Sequence, residues 1–362
     1  MHCCLPRVHL SKSRLGSGLP LLFLGPGERN VTVAVVKVNR NVRIVVYHDV
    51  SDHVSEFEAP LGVTTPTGIF TEQIDRLARD YDVIDTDALI SGRLPRRPLL
   101  ITFDDHYRSV LDVARRVLAP RGLPAMLFTN SQLLGPDALP LDAALGWVIS
   151  RHGILALAAA LGVPGEPTLP QLIFGPLARL GPAERRQLCQ DLRRRFGIGP
   201  EAMAGRSPAL TAADLRELGA LGVEVGNHTA THASCRALGP EEGRAEIADA
   251  KAALEGMTGR PVRGFSVPYG DPADLSPDTL ALLRATGHEA IFLVQQRSNG
   301  WRPAPDIWYR TDPGLAGPGA LWPRLEARPL WRSLRHLMRP TRSEPARSRT
   351  AAPARAMAGT RA

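Results

Sequence analysis

From Val42 onward, short apolar runs of strand length alternate with longer amphipathic segments, and four of the runs end in residues that carry chemistry. VRIVVYHD ends in His48 and Asp49, and PLLITFDD ends in Asp104 and Asp105. VEVGNHTATH carries His228 and His232, and VRGFSVPYG ends in Pro268, Tyr269 and Gly270. Strands alternating with helices specify an α/β chain with a parallel sheet or barrel. The loops that follow parallel strands are where such folds gather catalytic groups.

The alternation sets the organisation. Strands are expected at residues 43–47, 99–103, 125–129, 223–225, 262–265 and 290–294, the last taken as the final core strand. Helices are expected at 70–81, where Phe70, Ile74, Leu77 and Ala78 share a face, and at 109–118, 212–221, 240–257 and 277–286. Between about 135 and 207 the pattern turns helical, with Pro and Gly breaks separating 141–151, 154–161 and 182–196. This reads as a helical insertion, either a lid beside the site or a plain structural excursion. Residues 1–41 read as a disordered leader, 42–323 as the folded domain and 324–362 as a basic, largely disordered tail.

With 362 residues the chain is long enough to bury a sizeable core. Its net charge of +8 resides in the ends: residues 1–43 carry +6 and residues 324–362 carry +8, leaving −6 for the centre. A basic groove with interleaved aromatics is absent from that centre, which argues against a nucleic-acid partner. Within the tail, Leu330, Trp331, Leu334, Leu337 and Met338 share one face of a helix expected over 329–339, opposite Arg332, Arg335 and Arg339. Such a helix suits peripheral contact with an anionic membrane, or docking on the domain itself. The four cysteines, Cys3, Cys4, Cys189 and Cys235, are too scattered for a disulfide framework. The apolar run Leu19 to Leu24 is short, broken by Pro20 and lacks a small-residue cleavage site. The expected location is therefore cytoplasmic or peripheral at the inner membrane face.

Asp104 and Asp105 precede a helix, where an Asp also serves as an N-cap. Two adjacent carboxylates can instead divide the labour, one gripping a cation and the other taking a proton from the attacking water. His228 and His232 lie four apart, so one turn brings both imidazoles to the same side, as in two exposed helical histidines or in a shared ion site. Gly226 and Asn227, directly after a strand, favour the second reading. One Asp and two His form a frequent ligand set for Zn²⁺, with Co²⁺ or Ni²⁺ as related choices. Cys235 reads as a packed apolar residue, and His288 as a capping or exposed one.

The ordered set T-F-D-D, H-T-A-T-H and F-S-V-P-Y-G, with its flanking phrases, resembles the polysaccharide deacetylases of the NodB-homology group, carbohydrate esterase family 4. That resemblance spans roughly 42–312. It implies a distorted (β/α) barrel of the NodB type, with Asp104 as general base, Asp105, His228 and His232 as metal ligands, and the Tyr269 backbone N–H as an oxyanion donor. The implied substrate is an N-acetylated glycan or glycan precursor, from which acetyl is removed by metal-dependent hydrolysis; a catalytically inactive glycan-binding module on the same scaffold is the alternative. The chain departs from the family at two positions. His106 replaces the usual Gly and is expected to point outward, and Ser266 replaces the Arg that orients the base. A subgroup acting on poly-N-acetylglucosamine-like polymers also lacks that Arg and begins with a Y-H strand end, as in Tyr47-His48. His48 is then the candidate general acid, with Asp49 placed to orient it. Arg310, in W-Y-R-T-D, is expected to hold the site together or to meet substrate.

Overall fold

The computed structural model describes residues 41–301 and 304–327. Nearly all of the expected leader and tail, including Cys3, Cys4 and the helix over 329–339, lies outside the described residues.

The first half runs β1 (Arg43–Tyr47), β2 (Asp49–Val50), β3 (Thr64–Thr65), α1 (Thr67–Asp80), β4 (Asp82–Val83), α2 (Thr86–Ser91), β5 (Pro98–Asp104), α3 (Ser109–Val113) and β6 (Ala125–Thr129). Five helices follow: α4 (Leu141–His152), α5 (Ile154–Ala160), α6 (Leu169–Phe174), α7 (Pro182–Phe196) and α8 (Pro200–Ala204). The alternation then resumes with α9 (Ala212–Ala220), β7 (Val223–Asn227), α10 (Pro240–Gly243), α11 (Ala250–Thr258), β8 (Gly264–Ser266), α12 (Pro277–Ala285), β9 (Ala290–Val294), β10 (Ile307–Arg310) and α13 (Pro318–Trp322).

One parallel sheet takes the order β1-β5-β6-β7-β8-β9-β10, with β4 added on β5. The expected last strand was 290–294, but the chain adds β10 beyond it. That addition nearly closes the sheet: the Val46 N–H donates to the Thr311 carbonyl at 3.2 Å, and the Thr311 N–H donates to the Ile44 carbonyl at 2.9 Å. The result is a nearly closed parallel barrel ringed by helices, as the alternation of strands and helices implied.

Strand parity sorts the core, because successive side chains face opposite sides. Ile44, Leu100, Met126, Phe128, Ala290, Phe292 and Trp308, all at even positions, gather in one cluster along the barrel axis. Tyr47, Leu99, Ile101, Phe103, Leu127 and Val225, at odd positions, pack outward with α1, α3 and α9 residues such as Phe70, Val110 and Leu215. Every position of β5 is buried, as a strand covered on both faces requires. The same parity carries Thr102, Asp104, Ser266 and Arg310 toward the axis. Gly226 and Gly264 leave room there: a Cβ at either would collide with Phe128 or Met126.

The helices between β6 and β7 enclose a core of their own, in which Leu145, Val148, Leu172 and Leu192 pack with Phe57 from the loop after β2. At the other end the packed body runs past the expected boundary at Pro323. Leu325 joins the outer core, and Glu326 accepts hydrogen bonds from Tyr81 Oη at 2.7 Å and Arg43 Nε at 3.0 Å. Among the described residues, no helix is long and apolar enough to cross a membrane.

Behind β7, His288 is buried rather than exposed. The Asn227 amide donates to its Nε2 at 3.3 Å and to the Ile247 carbonyl at 2.9 Å, while the Asn227 Oδ1 takes the Thr229 N–H at 3.0 Å. His288 therefore props the loop that carries His228. Burial, reinforced by Lys251, lowers its pKa from 6.5 to about 4. Above pH 6.5 the ring is neutral in both folded and unfolded chains; below that, the unfolded chain gains a proton that the folded chain refuses until about pH 4. Stability is thus lost as pH falls through this window. His288→Gln is expected to lose less stability than the parent between pH 7 and pH 4.5, by on the order of 2 kcal/mol, as measured by urea unfolding at both values.

Candidate active site and metal centre

The four motifs converge at the C-terminal ends of β1, β5, β7 and β8, the face where parallel barrels hold their chemistry. Four non-glycine residues in the described chain have positive φ: Asp105 (74°), Thr229 (66°), His232 (59°) and Tyr269 (63°). All four belong to these motifs, so backbone strain is concentrated at the site and must be held by its surroundings.

Asp105, His228 and His232 form one cluster, with ligand atoms all within 4.8 Å of one another. The Asp105 Oδ1 lies 3.7 Å from the His228 Nε2 and 3.6 Å from the His232 Nε2. These gaps are too wide for hydrogen bonds, yet two bonds of about 2.1 Å to a common ion can span them. Both rings are fixed from behind. The His228 Nδ1 donates to the Ser266 carbonyl at 2.8 Å, and the His232 Nδ1 meets the Asp142 Oδ2 at 2.7 Å. Each Nε2 is thereby left facing Asp105, which is the tautomer a cation needs. The residues present therefore fit a divalent ion.

Asp142, which the sequence reading missed, sits in the first turn of α4. Burial alone would raise its pKa, but Arg185, 3.5 Å away, and His232 hold it well below the usual carboxylate range. Burial works to lower the His232 pKa, but the Asp142 hydrogen bond, together with the charges of Asp105 and Asp142, overcomes it and raises that imidazole's pKa. For His228, where burial dominates, the pKa falls to about 4, so the ring stays neutral. In sequence, Asp142 is an acidic residue at a helix start, which ordinary capping explains as well.

Asp104 points inward beside this cluster, its Oδ2 4.0 Å from the His228 Nε2. Arg310 grips it with two parallel hydrogen bonds of 2.7 Å and also donates to the Ser266 Oγ at 2.6 Å. The guanidinium is fully buried, lying 5.3 Å from the Phe128 ring centroid and 6.0 Å from that of Phe292. Burial works against the Asp104 charge; Arg310, with His228, overcomes it and keeps the carboxylate strongly ionised. Arg310 from β10 thus reaches the place left open by Ser266 in β8.

Four neighbours, His106, Asp49, His48 and Tyr269, differ from expectation or complete the site. His106 points inward, not outward: it is buried and stacks on Tyr107 at 5.0 Å, because the positive φ of the turn falls on Asp105 rather than on residue 106. Asp49 does not serve His48 by hydrogen bonding. Its carboxylate accepts from Ser109 Oγ at 2.7 Å and Thr64 Oγ1 at 2.9 Å, tying β2 and β3 to α3. His48 itself is half-buried after β1, within electrostatic reach of Asp104. The Tyr269 ring lies 5.0 Å from that of His232, with the Arg185 guanidinium 5.9 Å from its centroid. Cys235 is buried, as expected.

Residues 196–291, which include His228, His232 and the Ser266–Gly270 motif, match the polysaccharide deacetylase family. The fold is similar to that of the deacetylase PplD from Streptococcus pyogenes, solved in complex with acetate: TM-score 0.54, 14% identity, covering 79% of this chain and 98% of that one. It is also similar to a polysaccharide deacetylase from Bacillus cereus, with TM-score 0.50 and 14% identity over 79% of this chain and 69% of that one. No curated protein matches the chain significantly. The resemblance read from the motifs is therefore borne out by the family match and by the fold.

Two variants test the architecture. Arg310→Met leaves a buried carboxylate without its counter-ion and is expected to cost about 3–5 kcal/mol in denaturant unfolding. Arg310→Lys should fold better yet lose the two-point grip. Asp142→Asn should weaken zinc binding by about 10–100-fold in a chelator competition, with the fold retained by circular dichroism.

Proposed function

We propose that the protein removes acetyl groups from N-acetylated amino sugars in a glycan by metal-dependent hydrolysis. The observation that carries this reading is the meeting of an ionised, arginine-gripped Asp104 with the Asp105–His228–His232 cluster on one barrel face. A divalent ion held by Asp105, His228 and His232, most simply Zn²⁺, would polarise the amide carbonyl and acidify water.

The chain's own groups divide the remaining work. Asp104 accepts the proton of the attacking water, and Arg310 aims its carboxylate and holds it charged until that moment. Only a base kept free of its proton can do this, and the buried guanidinium meets that need. The Tyr269 backbone N–H, at a residue of positive φ next to His232, donates to the oxygen on which negative charge grows. His48 protonates the departing amine nitrogen, for which an imidazole is suited near neutral pH. Ser266 in place of arginine, together with the Tyr47-His48 strand end, favours a poly-N-acetylglucosamine-like polymer as the substrate class.

An inactive glycan-binding module on this scaffold is the competing reading. Asp104→Asn keeps the size of the side chain but removes the base. It is expected to cut acetate release from N-acetylglucosamine oligomers by at least about 10²-fold, with zinc content unchanged by metal analysis. Undiminished release by this variant would refute the assignment. A parent protein that binds oligomers without releasing acetate would favour the module.

A further inference from the structure

Among the described residues five large apolar side chains are strongly exposed: Val54, Leu155, Phe174, Leu315 and Trp322. Phe174 is the one whose ring meets a residue of the site. It ends α6, a short helix opened by a Thr168–Gln171 capping box and pinned by the fully buried Leu172. The ring itself remains 56% exposed. Its centroid lies 6.3 Å from that of Tyr269 at an interplanar angle of 75°. Edge-to-face packing of this kind holds the aromatic pair in a preferred geometry.

We infer that Phe174 is a stacking platform for a sugar ring neighbouring the one that reacts. This rests on the glycan deacetylase reading. Phenylalanine offers no hydrogen bond, so an exposed ring at the mouth of a polar site can bind only through its apolar surface. A pyranose presents a matching patch of C–H groups on one face. The Tyr269 ring meets both Phe174 and His232, at centroid distances of 6.3 Å and 5.0 Å. A sugar on Phe174 therefore sits one contact outward from the metal cluster, where the adjoining unit of a polymer would lie. The segment between β6 and β7 thus supplies both Asp142, which positions a ligand, and Phe174, which reads chain length. A single sugar or a small acetyl ester cannot use the platform; an oligomer can.

The test compares the parent, Phe174→Ala, Phe174→Trp and, as an exposed control in the same segment, Leu155→Ala. Zinc-loaded protein is assayed for acetate release on N-acetylglucosamine tetramer and on a small acetyl ester, and tetramer binding is measured by calorimetry. Phe174→Ala is expected to raise KM for the tetramer about tenfold, a loss equal to one good aromatic contact, with kcat and ester turnover unchanged. Phe174→Trp should retain the parent KM, and Leu155→Ala should match the parent throughout. Equal tetramer KM for parent and Phe174→Ala would overturn the platform, and so would an equal loss on the ester. If the parent binds tetramer but releases no acetate, the catalytic reading fails while weaker binding by Phe174→Ala still upholds the platform. A parent that neither binds nor hydrolyses tetramer overturns both.

Discussion

A guanidinium sealed inside a barrel is unstable without a partner, and the Arg310–Asp104 pair answers that need for both residues. Each charge alone would carry a desolvation cost of several kcal/mol. Together, with two parallel hydrogen bonds and Ser266 and Thr102 close by, they satisfy most of each other's hydrogen bonding, leaving the Arg310 Nε without a partner. The planar fork of arginine suits this role, and its faces can lie against Phe128 and Phe292, where a lysine ammonium would be stranded. The pair also joins the last strand to the second strand of the main sheet, 206 positions away in the chain. Catalytic orientation and closure of the sheet are one interaction.

Strand parity explains why the neighbouring carboxylates have different surroundings. Asp104 is the last residue of its strand and follows the inward row of Leu100 and Thr102. Asp105 follows in a left-handed conformation, which turns the chain out of that row and directs its carboxylate to the two histidines. One peptide unit separates a buried, arginine-bound group from a partly exposed one.

Much of this was legible before any coordinates. The apolar runs marked the strands, and β1, β6 and β9 occupy the expected residues without change. The motifs singled out the Asp104–Asp105 pair, His228 and His232, and the family resemblance named Asp105 as the ligand of the pair; Asp105, His228 and His232 do cluster. What stayed hidden depends on contacts between distant parts of the chain. Arg310 was expected to hold the site together or to meet substrate, but its grip on Asp104 stayed hidden, because nothing local shows that its strand closes the sheet opposite Asp104; the alternation of Trp308 and Arg310 was the available hint. Asp142 passed unnoticed, since an acidic residue in the first turn of a helix needs no further explanation. Asp49 was misjudged because adjacency in sequence suggested service to His48, whereas Thr64 and Ser109 claim its oxygens. His106 was expected to point outward, but the turn takes its positive φ at Asp105 and His106 is buried.

The Asp142–His232 contact has an evolutionary implication. The helices between β6 and β7 look like an excisable embellishment, with a core separate from that of the barrel. Yet one of their carboxylates buttresses an imidazole of the cation cluster, so the embellishment and the metal centre are thermodynamically linked. Ion occupancy should stiffen those helices, and loosening them should bleed affinity from the ion. A lineage could therefore reshape the outer surface of this segment freely, but it could not discard the segment without first finding another partner for His232.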